Sequence, residues 1–489
     1  GDNFHISNSQ MLRMMPMIAP VMHEVNVFTH FFYVPSRILW KDWDKFITGG
    51  ENGLDQTLPP VIELKNTYSS SPRNFRLADY MGLPVNGMLN PTETDEKISI
   101  LPFLAYNKIW NDYYRDQNLQ TSMDDVLDNI SNGNNPQLAG TDFFKLRKRA
   151  WTHDYFTSAL PWAQKGSPVR LPIGDTAPIK YKENYLGNPN KIYDYQDPDE
   201  PLADGALTVN SGRIYSNDGI SVNRFGSIDN SEHLEADLTE ATSATINDLR
   251  RAFSLQRWLE KTARGGARLT EMILSMFGVR SSDSRLQRPE YIGGGMSPVH
   301  ISEVLQTSET ADSPQGNMAG HGLNLGGSGG IHKYCEEHGY IIGICSVMPK
   351  PSYQQGIPKM YSKNDKFDYF WPDFEHIGEQ EILNKELFLH PTDETYNNGT
   401  FGYTPRYAEY KFNPSTVHGY FKTSLDFWHM GRIFDEENKP QLNAQFIQCD
   451  PTRRIFAVED PDEDVLLVHM FFNISARRLM SYYGEPRII

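Results

Sequence analysis

The chain of 489 residues has only three cysteines, Cys335, Cys345 and Cys449. That is too few for a disulfide framework and suits a reducing compartment. It has no apolar run near the length that crosses a bilayer; the longest, around Tyr340–Val347 and Val465–Phe472, are strand-sized. No signal-peptide pattern opens it. Basic residues are not in excess: 46 Lys and Arg face 62 Asp and Glu, a formal charge of −16 at pH 7. A nucleic-acid-binding domain is usually basic, so any contact with a genome has to be local, through clusters on one surface. Walker A, H-E-x-x-H and a G-x-G-x-x-G in a βαβ setting are all missing. Carboxylates are too plentiful to single out a glycosidase-type pair. Together these absences describe a soluble protein made in a cytoplasm, with no membrane insertion, no cofactor motif and no catalytic motif.

Aromatic residues are abundant, 12% of the chain with 25 Tyr and 26 Phe, against an apolar content of 39%. Aromatic side chains favour strands and bury much area each, so the pairing suggests strands and broad contact surfaces. Thirty-one Pro and 37 Gly imply many turns and long loops. The length alone suggests roughly three domains, yet nothing resembles an interdomain linker. One large β-domain over residues 1–489 with long embedded loops fits better.

Residues 22–34 alternate, with Val25, Val27, Phe31 and Tyr33 on one face and Glu24, Asn26 and His30 on the other, which predicts a half-buried strand. Ile38–Phe46 reads as a short helix. Residues 465–475 alternate more cleanly, through Leu466, Val468, Met470, Phe472 and Ile474. Residues 339–348 are apolar on both faces, as in a central strand covered twice. A strand near each end suggests that the core closes only when the termini meet. Helices are predicted over Ser99–Arg115, with Pro102 in the first turn, over Thr245–Lys261 behind a capping-box-like start, and over Leu269–Phe277, stopped by Gly278. From 184 to 242 the chain is rich in Asn, Asp, Ser, Gly and Tyr with acidic runs and little apolar pattern. That reads as an exposed insertion.

Four constellations invite a chemical reading. Gly326-Gly327-Ser328-Gly329-Gly330 matches G-x-S-x-G formally, but a nucleophile elbow needs a strand before it and a helix after it. Its flanks predict a glycine-rich loop instead. His332, Cys335, His338 and Cys345 are zinc-ligand types, but their spacing is a poor finger match and a buried Cys usually acts as a small hydrophobe; no metal site is expected. The acidic run 459–464 could collect Ca²⁺ yet lacks the EF-hand glycine and closing glutamate, so a solvated loop is the plainer reading. Basic groups recur at Arg147-Lys148-Arg149, Arg250-Arg251, Arg264 with Arg268, Arg453-Arg454 and Arg477-Arg478. They could neutralise phosphates without reading sequence, or simply pair with the 62 acidic residues.

Several segments in order resemble the major capsid protein of the microviruses, nearest the gokushovirus-like branch. They are Thr29-His30-Phe31-Phe32-Tyr33-Val34-Pro35-Ser36-Arg37 with Trp40 and Trp43, the run Ala105 to Asn118, and His153 to Trp162 with Gln164-Lys165-Gly166. Arg264-Gly265-Gly266, Arg285 to Gly295, Glu336 to Gly343 and Tyr353-Gln354-Gln355-Gly356 complete the set. Each alone is weak; their order across most of the chain makes the match specific. The resemblance implies a mainly β fold, an eight-stranded antiparallel jelly-roll β-sandwich with long loop and helical insertions. It implies self-assembly into a T=1 icosahedral shell around single-stranded DNA, with internal scaffolding and minor or pilot proteins as further partners. It places the protein in the virion, assembled in the bacterial host cytoplasm, and makes 184–242 a variable surface protrusion meeting a host cell-surface receptor. The chain opens at Gly1-Asp2-Asn3, and the family has further residues before this point. No catalytic, cofactor-binding or metal-binding residue is implied. The expected DNA contacts are Arg147, Lys148, Arg149, Arg453, Arg454, Arg477 and Arg478. A carbohydrate-active or carbohydrate-binding β-sandwich remains the alternative from another class.

Overall fold

A computed structural model describes residues 1–64, 76–84, 96–132, 142–167, 246–307, 318–458 and 463–480, residues 169 and 460, and six short strands between 179 and 236. Contacts divide the chain into two units, Gly1–Lys165 with Leu259–Ile489, and Gly166–Trp258.

The larger unit is organised by two antiparallel sheets. Its strands are β1 (Asp2–Met14), β2 (Val25–Pro35), β3 (Glu290–Pro298), β4 (His300–Leu305), β5 (Met318–Cys335), β6 (Gly339–Pro349) and β7 (Leu466–Arg477). One sheet has the order β4-β5-β1-β7, the other β3-β2-β6. Side chains of Ile6, Phe31 and Ile331 meet between them, as do Leu12, Met14, Val25, Val27 and Val299. Antiparallel sheets with helical insertions are what the composition and the alternating segments predicted.

β2 is central and covered on both sides, not half-buried as its alternation suggested. Odd-numbered residues face the other sheet. Even-numbered Phe32 and Val34 pack on helix α1 (Leu101–Ile109), among Phe103, Leu104, Ile109 and Trp110. Beyond Ile109 the predicted helix widens into one π turn, Trp110–Tyr114. A π turn inserts an extra residue per turn, which lets neighbouring aromatics point the same way. Tyr113 lies 4.8 Å from the Phe32 ring, and the Tyr114 hydroxyl bonds His30 Nδ1 at 2.8 Å. β6 makes apolar contacts on both faces, with Ile342 and Ile344 against the helix cluster and Ile341 against the intersheet core, but it is the edge strand of its sheet and mostly half-covered, not the central strand expected.

Two expectations are corrected. Residues 38–46 are not one helix: a 3₁₀ turn at Ser36–Ile38 precedes a helix at Trp43–Thr48. The predicted glycine-rich loop around 320–330 is the middle of β5, an 18-residue strand. Its glycines serve close approach. A Cβ on Gly327 would lie 2.2 Å from the Asn8 carbonyl oxygen, and one on Gly295 of β3 would lie 3.0 Å from the Gly327 oxygen. Any side chain there would push the backbones apart.

β1 escaped the sequence pattern because two of its inward positions are polar. Ile6, Asn8, Gln10, Leu12 and Met14 are all buried, in strict alternation. Asn8 Oδ1 accepts from the Ser328 backbone and hydroxyl. Gln10 accepts from Thr29 Oγ1 at 2.7 Å, and Asn324 Nδ2 donates to Ser297 Oγ and the Pro298 oxygen. A polar seam therefore runs through the sandwich, and most of its groups find partners inside it.

The helix over Leu269–Phe277 ends as predicted at Gly278, in the left-handed conformation with φ 69°; the preceding helix covers Ile246–Gly265. A further cluster of Tyr155, Phe156, Tyr353, Ile382, Leu387, Phe401 and Phe446 gathers the loops of the second half of the chain.

In the smaller unit the strands nest. Ile179–Tyr181 pairs antiparallel with Leu234–Ala236, Ile192–Asp194 with Phe225–Ile228, and Thr208–Asn210 with Arg213–Tyr215. Each pair lies inside the previous one in sequence, as in one long hairpin. The exposure expected for 184–242 falls on residues whose side chains lie outside the described set.

Candidate nucleic-acid interface

The basic groups singled out from the sequence fall into two places. Arg147 follows the aromatic face of α1: its guanidinium lies 5.0 Å over Trp110, and Nε donates to Asn107 Oδ1 at 3.2 Å. Lys148 pairs with Asp450 at 2.7 Å near the surface. Arg149 turns inward, donating to Ser346 Oγ at 2.9 Å between the rings of Phe28 and Tyr114. Burial draws its pKa down, since a desolvated guanidinium loses hydration that ring faces replace only in part.

The 147–151 segment runs beside 447–450, through Trp151 N to Ile447 O and Cys449 N to Arg149 O. This brings the Arg453-Arg454 pair into the same region. Arg453 donates to the Asp460 and Glu463 carbonyls at 3.0 and 2.7 Å. Arg454 donates to the backbone oxygens of Asp426, His429 and Gly431, each at 2.9 Å. Its fork clamps a loop.

Arg477 and Arg478 lie elsewhere. Arg477 sits opposite Asn3, and Arg478 Nε is 3.1 Å from Asp2 Oδ2. β1 runs from there to Met14, 13 residues or roughly 40 Å at strand rise, before the chain reaches the Met17–Phe456 bridge. The seven residues are thus two groups near opposite ends of β1. Of the other basic positions, Arg264 pairs with Glu379 at 2.8 Å, and Arg268 donates to the Asn111 and Arg115 carbonyls.

The remaining ionisable candidates are quiet. Cys335 ends β5 in one sheet and Cys345 lies in β6 of the other. Burial pushes the Cys335 thiol up, and takes Cys345 to about 11 and Cys449 to about 12. The acidic run 459–464 lies partly outside the described residues. No helix among the described residues is long and apolar enough to cross a membrane.

Two features were invisible in the sequence. Arg432 is half-buried with its guanidinium 4.0 Å over Phe446 and 5.4 Å from Trp151, donating to the Phe446 carbonyl. A cleft of about 500 Å³ is lined by His23, His418, His429, Lys350, Phe421 and Trp428. Its three histidines come from segments roughly 400 residues apart, so no spacing could have announced them.

The sandwich with its helical insertions, and basic residues held mainly in structural roles, are the parts of a scaffold. Comparison with known proteins agrees: residues 1–488 match the model of the family described as "Capsid protein (F protein)". The chain belongs to this family. It is 38% identical to Capsid protein VP1 of Bdellovibrio phage phiMH2K, 34% to that of Chlamydia phage 1 and 33% to that of Spiroplasma virus 4. Each alignment covers 99% of this chain and 90% of the relative. The protein is therefore a structural capsid protein of the single-stranded-DNA microviruses and not an enzyme, as the ordered motifs had suggested. Copies of it assemble with one another around a genome.

Proposed function

We propose that the chain is the major capsid subunit of a T=1 icosahedral shell enclosing single-stranded DNA. The observation that supports this best is the pair of antiparallel sheets with β1 bonded on both edges, to β5 and to β7. Closing early and late chain segments into one sheet is how a jelly roll is wound, and the eight-stranded form is our reading of the finer topology. Internal scaffolding and pilot proteins would meet the shell from within. The insertion 184–242 would face outward and meet a host cell-surface receptor; its paired backbone, one antiparallel excursion, suits a protrusion.

For the genome we narrow the contacts to Lys148, Arg477 and Arg478, whose charged ends are exposed. Arg149 and Arg454 serve the fold. Binding through such groups is sequence-blind and falls steeply with salt. Negative-stain microscopy of the expressed full-length protein tests the assembly: uniform closed particles are expected, and a strictly monomeric protein in infected-cell lysate would end the reading. Replacing residues 194–240 with a short Gly/Ser linker should leave particles intact and impair cell attachment. If assembly fails while subunits still fold, the insertion is an interface instead.

A further inference from the structure

One surface outside the sites above is built in a way that ordinary exposure does not explain. Residues 358–377 form three short 3₁₀ turns, Lys359–Ser362, Lys366–Asp368 and Pro372–Phe374. They leave Tyr361, Phe367, Tyr369, Phe370 and Trp371 between 45% and 73% exposed, joined by Tyr410 at 54%. At roughly 200 Å² per aromatic side chain these six rings leave about 600 Å² uncovered. Met360, Ile377 and Phe412, close to these in sequence, are also more than half exposed. The largest apolar patch on an ordinary monomer is about 300–600 Å², and one side of a standard protein interface is about 800 Å².

The patch is held rigid from below. Tyr407 is 1% exposed and sits in the left-handed region at φ 62°, a conformation a tyrosine rarely adopts. Gln380 Oε1 accepts from its backbone N–H at 3.1 Å. The Tyr407 ring lies 5.1 Å beneath Phe370, and its hydroxyl accepts from the Trp371 N–H at 3.3 Å. Gln380 also donates to Glu409 at 2.7 Å. Glu409 pairs with the nearly buried Lys363, whose ammonium stands 3.8 Å from the Tyr410 ring. Trp371 Nε1 donates to the Lys366 carbonyl and Arg406 to the Phe367 carbonyl. Strained backbone supported by a buried polar network keeps these rings outward. Rigid aromatic anchors lose little entropy on binding, which is what an interface centre needs.

Charge decides what binds there. Across 359–377 and 403–412, five Lys and Arg meet five Asp and Glu, in a chain that carries −16 overall. Lys359 is paired with Glu386, Lys363 with Glu409 and Lys411 with Glu375. Arg406 is held by the Phe367 carbonyl, which leaves Lys366, 4.9 Å over the Phe367 ring, as the one cation of the five with no hydrogen-bonded or ionic partner among the described residues. A stacking platform for single-stranded DNA needs a line of uncommitted cations beside its rings. A neutral apolar area is instead where two strongly acidic copies approach with least repulsion. We propose that the aromatic patch around Phe370 and Trp371 is a contact surface for a second copy of this chain in the shell. This rests on the reading that copies assemble and says which surface they use.

Hydroxyl-radical footprinting of the full-length protein tests it, comparing dissociated subunits, DNA-free particles and filled particles. Labelling of Tyr361, Tyr369 and Trp371 should drop about fivefold or more on forming DNA-free particles, as for a desolvated interface centre. Equal labelling in subunits and both kinds of particle overturns the patch and leaves the capsid reading standing. Protection found only in filled particles also overturns it, in favour of DNA stacking. Failure of the wild-type chain to form any particle overturns the assembly reading and the patch with it. In parallel, F370S/W371S subunits with unchanged far-ultraviolet circular dichroism should yield about tenfold fewer particles, a change that each 1.4 kcal/mol of lost contact produces. Undiminished yield would refute the proposal; should that variant fail to fold, the wild-type footprint decides alone.

Discussion

The two faces of β2 achieve burial by opposite means. Toward α1, the strand offers Phe32 and Val34 to a cluster of large side chains in which Phe103, Leu104 and Ile109 are almost fully enclosed. Toward the facing sheet, the layer is thin. Glycines at 295, 322 and 327 bring backbone against backbone or side chain, and Gln10 bonds Thr29 and Asn324 while Asn8 bonds Ser328, beside the aliphatic contacts of the same layer. The first face is stabilised by removing apolar area from water, which tolerates small changes of shape. The second depends on exact distances and satisfied hydrogen bonds, which tolerate neither bulk nor the loss of one partner. One strand thus carries a forgiving face and an exacting one.

Four substitutions would break or sharpen that contrast. Gly327→Val should have the largest effect, because its Cβ would meet the Asn8 backbone oxygen at 2.2 Å, an atom that cannot step aside. Soluble protein should be lost in expression trials, while a normally folded variant would show that the seam can open. Phe103→Ala on the forgiving face should cost about 3–5 kcal/mol and still fold, measured as the shift of a urea unfolding midpoint. Gln10→Ala, which strands the Thr29 hydroxyl, should cost about 1–3 kcal/mol by the same measurement; a neutral outcome would mean that the seam relaxes like an oily core.

The smallest effect lies outside both faces. Burial pushes the Glu379 carboxyl from the ordinary 4.5 up to about 7, with Arg264 opposing and Glu260 adding to the rise. A raised carboxyl binds its proton more tightly folded than unfolded. Its contribution to stability is therefore complete below about pH 4.5 and is lost as the pH climbs through about 7. Glu379→Gln should flatten the melting temperature across that interval and leave the two faces of β2 untouched. An unchanged pH profile would place the titration elsewhere.

The same contrast explains what could be read in advance. The alternation of β2 was legible because its inward residues are apolar at period two, and β6 because both of its faces are apolar. β7 was found by its alternation, yet the face of Val468, Phe472 and Ile474 is exposed in the single chain. The helix at 269–277 was legible because Gly278 closes it. β1 was not, since Asn8 and Gln10 break the apolar pattern at buried positions. β5 looked like a loop because its glycines signal flexibility locally, and only the neighbouring strand reveals that they mark close approach. The basic pairs were found by type, but separating Arg454, which clamps three carbonyls, from exposed Arg477 needed the fold. The aromatic patch was visible as composition alone: nothing in the order of letters says that Tyr407 props Phe370 outward.

The pairing of β1 with β7 has a consequence in time. Met14 lies opposite Leu466, so β1 waits for about 450 further residues, roughly 20 to 90 seconds of synthesis at about 5–20 residues per second. Until then its backbone has no strand to pair with on that edge. A ribosome that stops early releases a chain whose first sheet lacks an edge, and such a chain cannot present a finished wall to its neighbours. The sheet that would form a wall of the shell is therefore finished only when β7 has been read.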